Sequence, residues 1–180
     1  MSFTVESGKI KVDYVLKYAC ARKLEETGLA LEMPAKFRRF DWVGLGPYEC
    51  YPRASMLSEF GVWAYDCDDL YFQGNRREVR MVLVSAADGS VIAMECAKNG
   101  SNIAFERRGD KTLIAHNAFV AGKACKFNDP LEMVDLASDQ QLEGSFVLTV
   151  NVKKEGNNFE SIFGELRDIT PFKPFYKTYD

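Results

Sequence analysis

The sequence predicts an all-β protein, an antiparallel β-sandwich with at most one short helix, forming a single domain over residues 1–180. Three observations carry that expectation: apolar and polar residues alternate at period two along much of the chain, turn residues separate these runs, and helical periodicity is scarce. From Lys9 to Cys20, Ile10, Val12, Tyr14, Leu16 and Tyr18 share one face while Lys11, Asp13 and Lys17 share the other, as a half-solvated strand requires. Gly28 to Met33 repeats the pattern with Leu29, Leu31 and Met33 inward, and Pro34 ends it. Val79 to Ser85 and Ser90 to Cys96 predict paired strands around Ala87-Asp88-Gly89. Asn102 to Arg107 and Thr112 to His116 predict a second hairpin around Gly109-Asp110. Phe146, Leu148, Val150 and Val152 alternate with Val147, Thr149, Asn151 and Lys153 in the cleanest strand of the chain.

The one helix expected is short. Asp129-Pro130-Leu131-Glu132 supplies an N-cap, a first-turn proline and an early acid, which predicts a helix over about 131–137. The end of the chain, Thr170-Pro171-Phe172-Lys173-Pro174-Phe175-Tyr176, cannot be a central strand, because two prolines remove ladder donors. Residues 169–180 are therefore expected as an extended arm that lays Phe172, Phe175 and Tyr176 over the body.

Composition narrows the function classes. The 180 residues carry 23 Lys+Arg against 26 Asp+Glu, a net charge of −3, which argues against a dedicated nucleic-acid binder with its basic face. At 47% hydrophobic and 27% charged the chain is ordinary globular protein. No run of apolar residues is long enough for a membrane-spanning helix, and Met1 to Glu6 lacks the basic and apolar regions of a signal peptide. The expectation is a cytoplasmic chain by default, or a piece of a longer chain whose address lies elsewhere. Cys20, Cys50, Cys67, Cys96 and Cys125 form no CxxC pair and read as free, partly buried thiols. With His116 the only histidine and no ligand spacing, neither a metal nor a cofactor is expected.

Several constellations invite chemistry. Asp66, Asp68 and Asp69 cluster, yet they lack the regular ladder and glycine turn of a calcium loop and read as a solvated loop. Gly44-Leu45-Gly46-Pro47 looks like a phosphate cradle, but Pro47 deletes a donor, and the glycines predict a bend or bulge between strands. Trp42, Tyr48, Tyr51, Trp63, Tyr65 and Tyr71 make the middle of the chain aromatic. Rings stack on the C–H faces of sugars while carboxylates and guanidinium groups bond hydroxyls, so Tyr48, Glu49, Tyr51 and Arg53 form a candidate carbohydrate-binding rim. Core or interdomain packing accounts for the same residues, and Trp42, beside Val43 and Leu45, is expected to be packed. His116 has no sequence neighbour fitted for general acid–base work and reads as a satisfied structural histidine. The doublets Arg38-Arg39, Arg76-Arg77 and Arg107-Arg108 are separated by acids and read as surface charge.

The most specific passage is Asp41-Trp42-Val43-Gly44-Leu45-Gly46-Pro47-Tyr48-Glu49-Cys50-Tyr51-Pro52. It resembles the W-x-G-x-G-P-x-E-N-Y-x-D-R signature of the C-terminal small-chain domain of family 2 beta-galactosidases. Gly28-Leu29-Ala30-Leu31-Glu32-Met33-Pro34 is similar to the strand that leads into that signature. Asp68-Asp69-Leu70-Tyr71 and Gly74-Asn75-Arg76-Arg77-Glu78-Val79-Arg80 are similar to its V-D-x-L-Y and N-G-N-R-x-D-V-R runs. The similarity covers about 9–100. The chain departs from the signature at Cys50, which stands where the family has Asn, and at Pro52-Arg53, where its Asp-Arg is compressed. Trp42 and Trp63 both come early, and no late Gly- and Asp-rich loop carries the family's active-site tryptophan.

The resemblance implies a galactose mutarotase-like supersandwich, shortened, serving a glycoside hydrolase as a non-catalytic accessory domain. It would pack on a catalytic barrel domain or a large subunit and contribute to a galactoside site, with no catalytic residue of its own. A free-standing carbohydrate-binding module is the alternative, and a small aldose-modifying enzyme using His116 is a third. A shortened sandwich exposes a sheet edge, so the chain is expected to self-associate as a homodimer or to close that edge with its C-terminal arm.

Overall fold

The computed structural model describes residues 1–18, 26–52, 57–68, 74–121 and 140–150, together with the backbone of 22–24 and 134–136. Among the described residues every regular element is a strand. In chain order they are β1 (Ser2–Glu6), β2 (Lys9–Lys17), β3 (Arg22–Leu24), β4 (Glu26–Pro34), β5 (Phe37–Gly46), β6 (Glu59–Asp66), β7 (Gly74–Val79), β8 (Met81–Ala86), β9 (Val91–Glu95), β10 (Ser101–Arg108), β11 (Lys111–Val120), β12 (Val134–Leu136) and β13 (Gln141–Val150). A seven-stranded sheet runs β1-β2-β13-β9-β8-β5-β6, and a four-stranded sheet runs β4-β11-β10-β7. All pairings are antiparallel, including the small β12–β3 ladder.

The period-two faces meet as alternation dictates. Val12, Tyr14, Phe40, Trp42, Trp63, Tyr65, Val82, Val84, Met94 and Phe146 project from the large sheet onto Met33, Val79, Ile103, Phe105 and Ile114 of the small one, all nine-tenths or more buried. The two predicted hairpins form as β8–β9 and β10–β11. β13 inserts between β2 and β9, placing Phe146 opposite Val12 and Leu148 opposite both Ile10 and Met94.

The structure corrects four expectations. Within the predicted helix 131–137, Val134–Leu136 is a strand pairing with Arg22–Leu24; the capping residues Asp129 to Glu132 lie outside the described residues. The strand expected from Val79 is two strands: Val79 ends β7 in the small sheet and Met81 begins β8 in the large one. Arg80 bridges the change, its N–H donating to the Val43 carbonyl (2.8 Å) and its own carbonyl accepting from Cys96 N–H (2.8 Å). Gly44 and Gly46 lie within β5 rather than between strands and make no bulge against β6, which pairs in unbroken register through both. They are small for contact instead: a Cβ on Gly44 would lie 2.8 Å from Val79 Cα, and one on Gly46 2.6 Å from the Trp63 ring. The fourth correction is Arg76, a predicted surface charge that is 0% exposed.

Cys50, Cys67 and Cys96 are free thiols, the first two buried, as expected, while Cys20 and Cys125 lie outside the described residues. The arm 169–180 also lies outside them.

Candidate functional site

The candidate rim sits where the chain leaves β5. Of its four residues, Tyr48 and Glu49 are half-buried, Tyr51 is buried, and Arg53 lies outside the described residues. The structure brings Glu49 and Tyr51 together: the Tyr51 hydroxyl donates to Glu49 Oε2 at 3.3 Å and accepts from Asn75 N–H at 3.3 Å. Cys50 between them exchanges backbone and side-chain bonds with Asn75. Its N–H donates to the Asn75 carbonyl (2.6 Å), and its carbonyl accepts from Asn75 Nδ2 (2.9 Å). Gly74 has φ of +103°, and a Cβ there would meet Glu49 Oε2 and the Tyr51 hydroxyl, so the second motif seats the first with its glycine.

Asn75 also starts a polar strip on the outer face of the small sheet. Its amide lies 3.5 Å from those of Asn102 and Asn117, and Asn117 Nδ2 donates to Glu26 Oε2 at 3.0 Å. The strip links β7, β10, β11 and β4 behind the rim, and sequence reading missed it. Its signal lay in the Gly74-Asn75-Arg76 run, where an amide and a guanidinium on adjacent residues of one strand must face opposite ways.

Arg76 takes the inward direction. Its guanidinium lies 5.2 Å from the Trp42 ring, 5.7 Å from Phe105 and 6.0 Å from Tyr65, and its Nη1 donates to the Gly74 carbonyl at 3.2 Å. Burial lowers its pKa to about 10, against the fields of Tyr65, Glu49, Tyr51 and Cys50, which support the charge. Arg76 therefore stays a cation at neutral pH. The two family-like motifs form one unit, with Arg76 under the Trp42 ring and Asn75 tied to Cys50 and Tyr51.

His116 lies 4% exposed in a second polar cluster. The Tyr14 hydroxyl donates to the His116 carbonyl (2.6 Å) and sits 2.8 Å from Nδ1, while Nε2 is 3.0 Å from Ser101 Oγ. With the phenolic proton given to the carbonyl, Nδ1 carries the ring proton and Nε2 accepts from Ser101. Burial pushes His116 down to about 4, and it pushes Tyr14 up to about 12. Both nitrogens are engaged, as the structural reading expects.

The acidic cluster is ionic. Asp68 accepts from both Arg38 and Arg107, Asp66 lies 3.8 Å from Arg38, and Arg107 Nη1 reaches Cys67 Sγ at 3.4 Å. Asp66, Cys67 and Asp68 group closely enough for a metal, yet two guanidinium groups already serve the Asp68 carboxylate. Among the described residues no helix is long and apolar enough to cross a membrane.

No curated protein matches the sequence. Among solved structures the chain is similar to a protein provisionally described as an aldose 1-epimerase from Escherichia coli K12, with 11% identity, TM-score 0.46, and 82% of this chain and 58% of that one covered. It is similar also to a galactose mutarotase related enzyme from Lactobacillus acidophilus, with 8% identity, TM-score 0.36, and 85% and 61% covered. The chain thus matches 58% and 61% of the length of these two. The profile of the beta galactosidase small chain matches residues 1–152, most of the sequence, and the chain belongs to that family.

Proposed function

We propose that this chain is a non-catalytic accessory domain of a family 2 beta-galactosidase, packing on a catalytic barrel domain or a larger subunit. The observation that carries the reading is how the motif residues are used. Trp42, Asn75 and Arg76 are each 0% exposed, and they bind the two motifs to each other. The acids near them are engaged as well: Glu49 by Tyr51, Asp41 by Arg39, Asp68 by Arg38 and Arg107. Glycoside hydrolysis needs two carboxylates facing one another across a sugar, roughly 5–9.5 Å apart, and these acids face cations and hydroxyls. Support for packing on another chain comes from β1, an edge strand whose Phe3 and Val5 are 60% and 70% exposed.

The purified chain is expected to leave a chromogenic galactoside intact, and a catalytic partner subunit is expected to gain activity when the chain is added. Turnover by the chain alone that disappears on replacing its own carboxylates overturns the reading. A second reading, carbohydrate binding at Tyr48, Glu49, Tyr51 and Arg53, is favoured by the partial exposure of Tyr48 and Glu49 on a loop held by Asn75. Calorimetric titration with galactose and lactose separates the two, since a purely structural loop gives no saturable heat.

A further inference from the structure

Alternation decides which face β1 presents. Phe3 lies opposite Val12 and Val5 opposite Ile10, and directly opposed residues share a face, so both side chains belong to the core face of the seven-stranded sheet. The four-stranded sheet stops short of them: Phe3 and Val5 are 60% and 70% exposed, whereas Val12 on the next strand is 2% exposed. The core face therefore runs out to the edge of the sheet and ends there in two uncovered apolar side chains.

The other edges of the two main sheets are guarded against strand addition. β6 exposes Glu59, Ala64 and Asp66, and β4 exposes Glu26, Glu32 and Pro34. β7 carries Arg77 and the exposed Glu78 beside a register shift against β10. Among the described residues none of these three strands exposes a large apolar side chain. β1 has no proline and no lysine, pairs with β2 without a break, and carries a single charge, Glu6.

The unguarded edge is complementary to itself. In an antiparallel pairing of two copies centred on Thr4, Ser2 lies opposite Glu6, Phe3 opposite Val5 and Thr4 opposite Thr4, so the whole strand is paired. A shift of two residues, the smallest that keeps both core faces on one side, leaves part of each strand without a partner. In the centred register Met94, Leu148, Ile10 and Val5 of one copy run on into Phe3, Val12 and Phe146 of the other, an unbroken apolar row. On the opposite face Glu6, already beside Lys9 of its own chain, meets an uncharged serine, and no like charges oppose each other.

We propose that β1 is a dimer strand, which pairs antiparallel with β1 of a second copy about a two-fold axis at Thr4 and joins the two seven-stranded sheets into one. This pairing names the occupant of an edge that supports packing on another chain. It does not rest on the larger subunit of the accessory-domain reading, which meets other faces of the chain.

The test uses the full chain. In sedimentation equilibrium from micromolar to near-millimolar concentration, the mass is expected to rise from 20.4 kDa toward twice that value. A chain that stays monomeric throughout overturns the proposal and leaves β1 to a larger subunit, with the galactoside assays untouched. Thr4→Lys sets two lysines face to face on the axis and is expected to weaken the dimer about tenfold or more, while Thr4→Val keeps it. A Thr4→Lys dimer as tight as the wild type puts the contact elsewhere and overturns the proposal. Geometry is read by mild oxidation. Thr4→Cys is expected to link to its own copy well above the wild-type background, and Glu6→Cys, opposite Ser2, is not. Equal linkage of the two variants, or none in Thr4→Cys, overturns it.

Discussion

Arg76 and His116 stand in one cross-strand row on the inner face of the small sheet, joined through Ile103, and they solve the same problem in opposite ways. Desolvation lowers both, Arg76 from 12.5 to about 10 and His116 from 6.5 to about 4. The shifts are similar, but pH 7 falls on different sides of the results. Arg76 keeps its proton and is surrounded accordingly, by three aromatic faces, the Gly74 carbonyl and the fields of Glu49 and Tyr51. His116 gives its charge up and becomes a neutral link between Tyr14 and Ser101. The lesson is that a sandwich core accepts an ionisable group either by neutralising it or by lining the site with π faces and acceptors.

The comparison breaks most sharply at Arg76. Arg76→Ala is expected to cost about 3–5 kcal/mol in urea unfolding, because it empties the space between Trp42, Tyr65 and Phe105 and leaves acceptors unpaired. Arg76→Met fills that volume and is expected to cost clearly less. Next comes pH. His116 binds its proton near 6.5 in the unfolded chain and only near 4 in the folded one, so its contribution is complete above pH 6.5 and is lost as pH falls through 4. The loss approaches about 3 kcal/mol, at 1.36 kcal/mol per pKa unit. It is read as the difference between wild type and His116→Gln in denaturation midpoints from pH 7 to 4. Arg76 contributes no slope there, being protonated in both states.

A smaller effect is expected at Tyr14→Phe, which removes the hydroxyl shared by the His116 carbonyl and Nδ1 and costs about 1–2 kcal/mol. The variant is checked by its unfolding midpoint. The smallest is kinetic. Burial pushes the Cys96 thiol up to about 12, so a thiol reagent at pH 8 is expected to modify it far more slowly in the native chain than in urea.

Much of this was legible beforehand. Val12, Tyr14, Phe146 and Leu148 declared their faces by alternation, and Ala87-Asp88-Gly89 and Gly109-Asp110 declared two hairpins, because those signals are local. The family-like motifs marked the stretch that the structure ties together around Asn75. Three things were not legible. The Arg76-Arg77 doublet reads as surface charge, since nothing local announces that Trp42, Tyr65 and Phe105 converge on one of the pair. The passage from β7 to β8 hides in a continuous apolar run, because Val79 and Met81 are equally strand-like and differ only in which sheet receives them. The capping pattern before Leu131 predicts a helix, yet Val134–Leu136 pairs with Arg22–Leu24, a partner far away in sequence.

By itself, then, the sequence determined the period of the strands, the turns between neighbours, the all-β class and the family motifs, all of which depend on residues close along the chain. Tertiary structure alone decided that β13 separates β2 from β9, that Gly44 exists to admit Val79, and that one arginine is buried under Trp42. Those outcomes depend on which distant surfaces exclude water from each other, and desolvation acts on the assembled pair rather than on either segment.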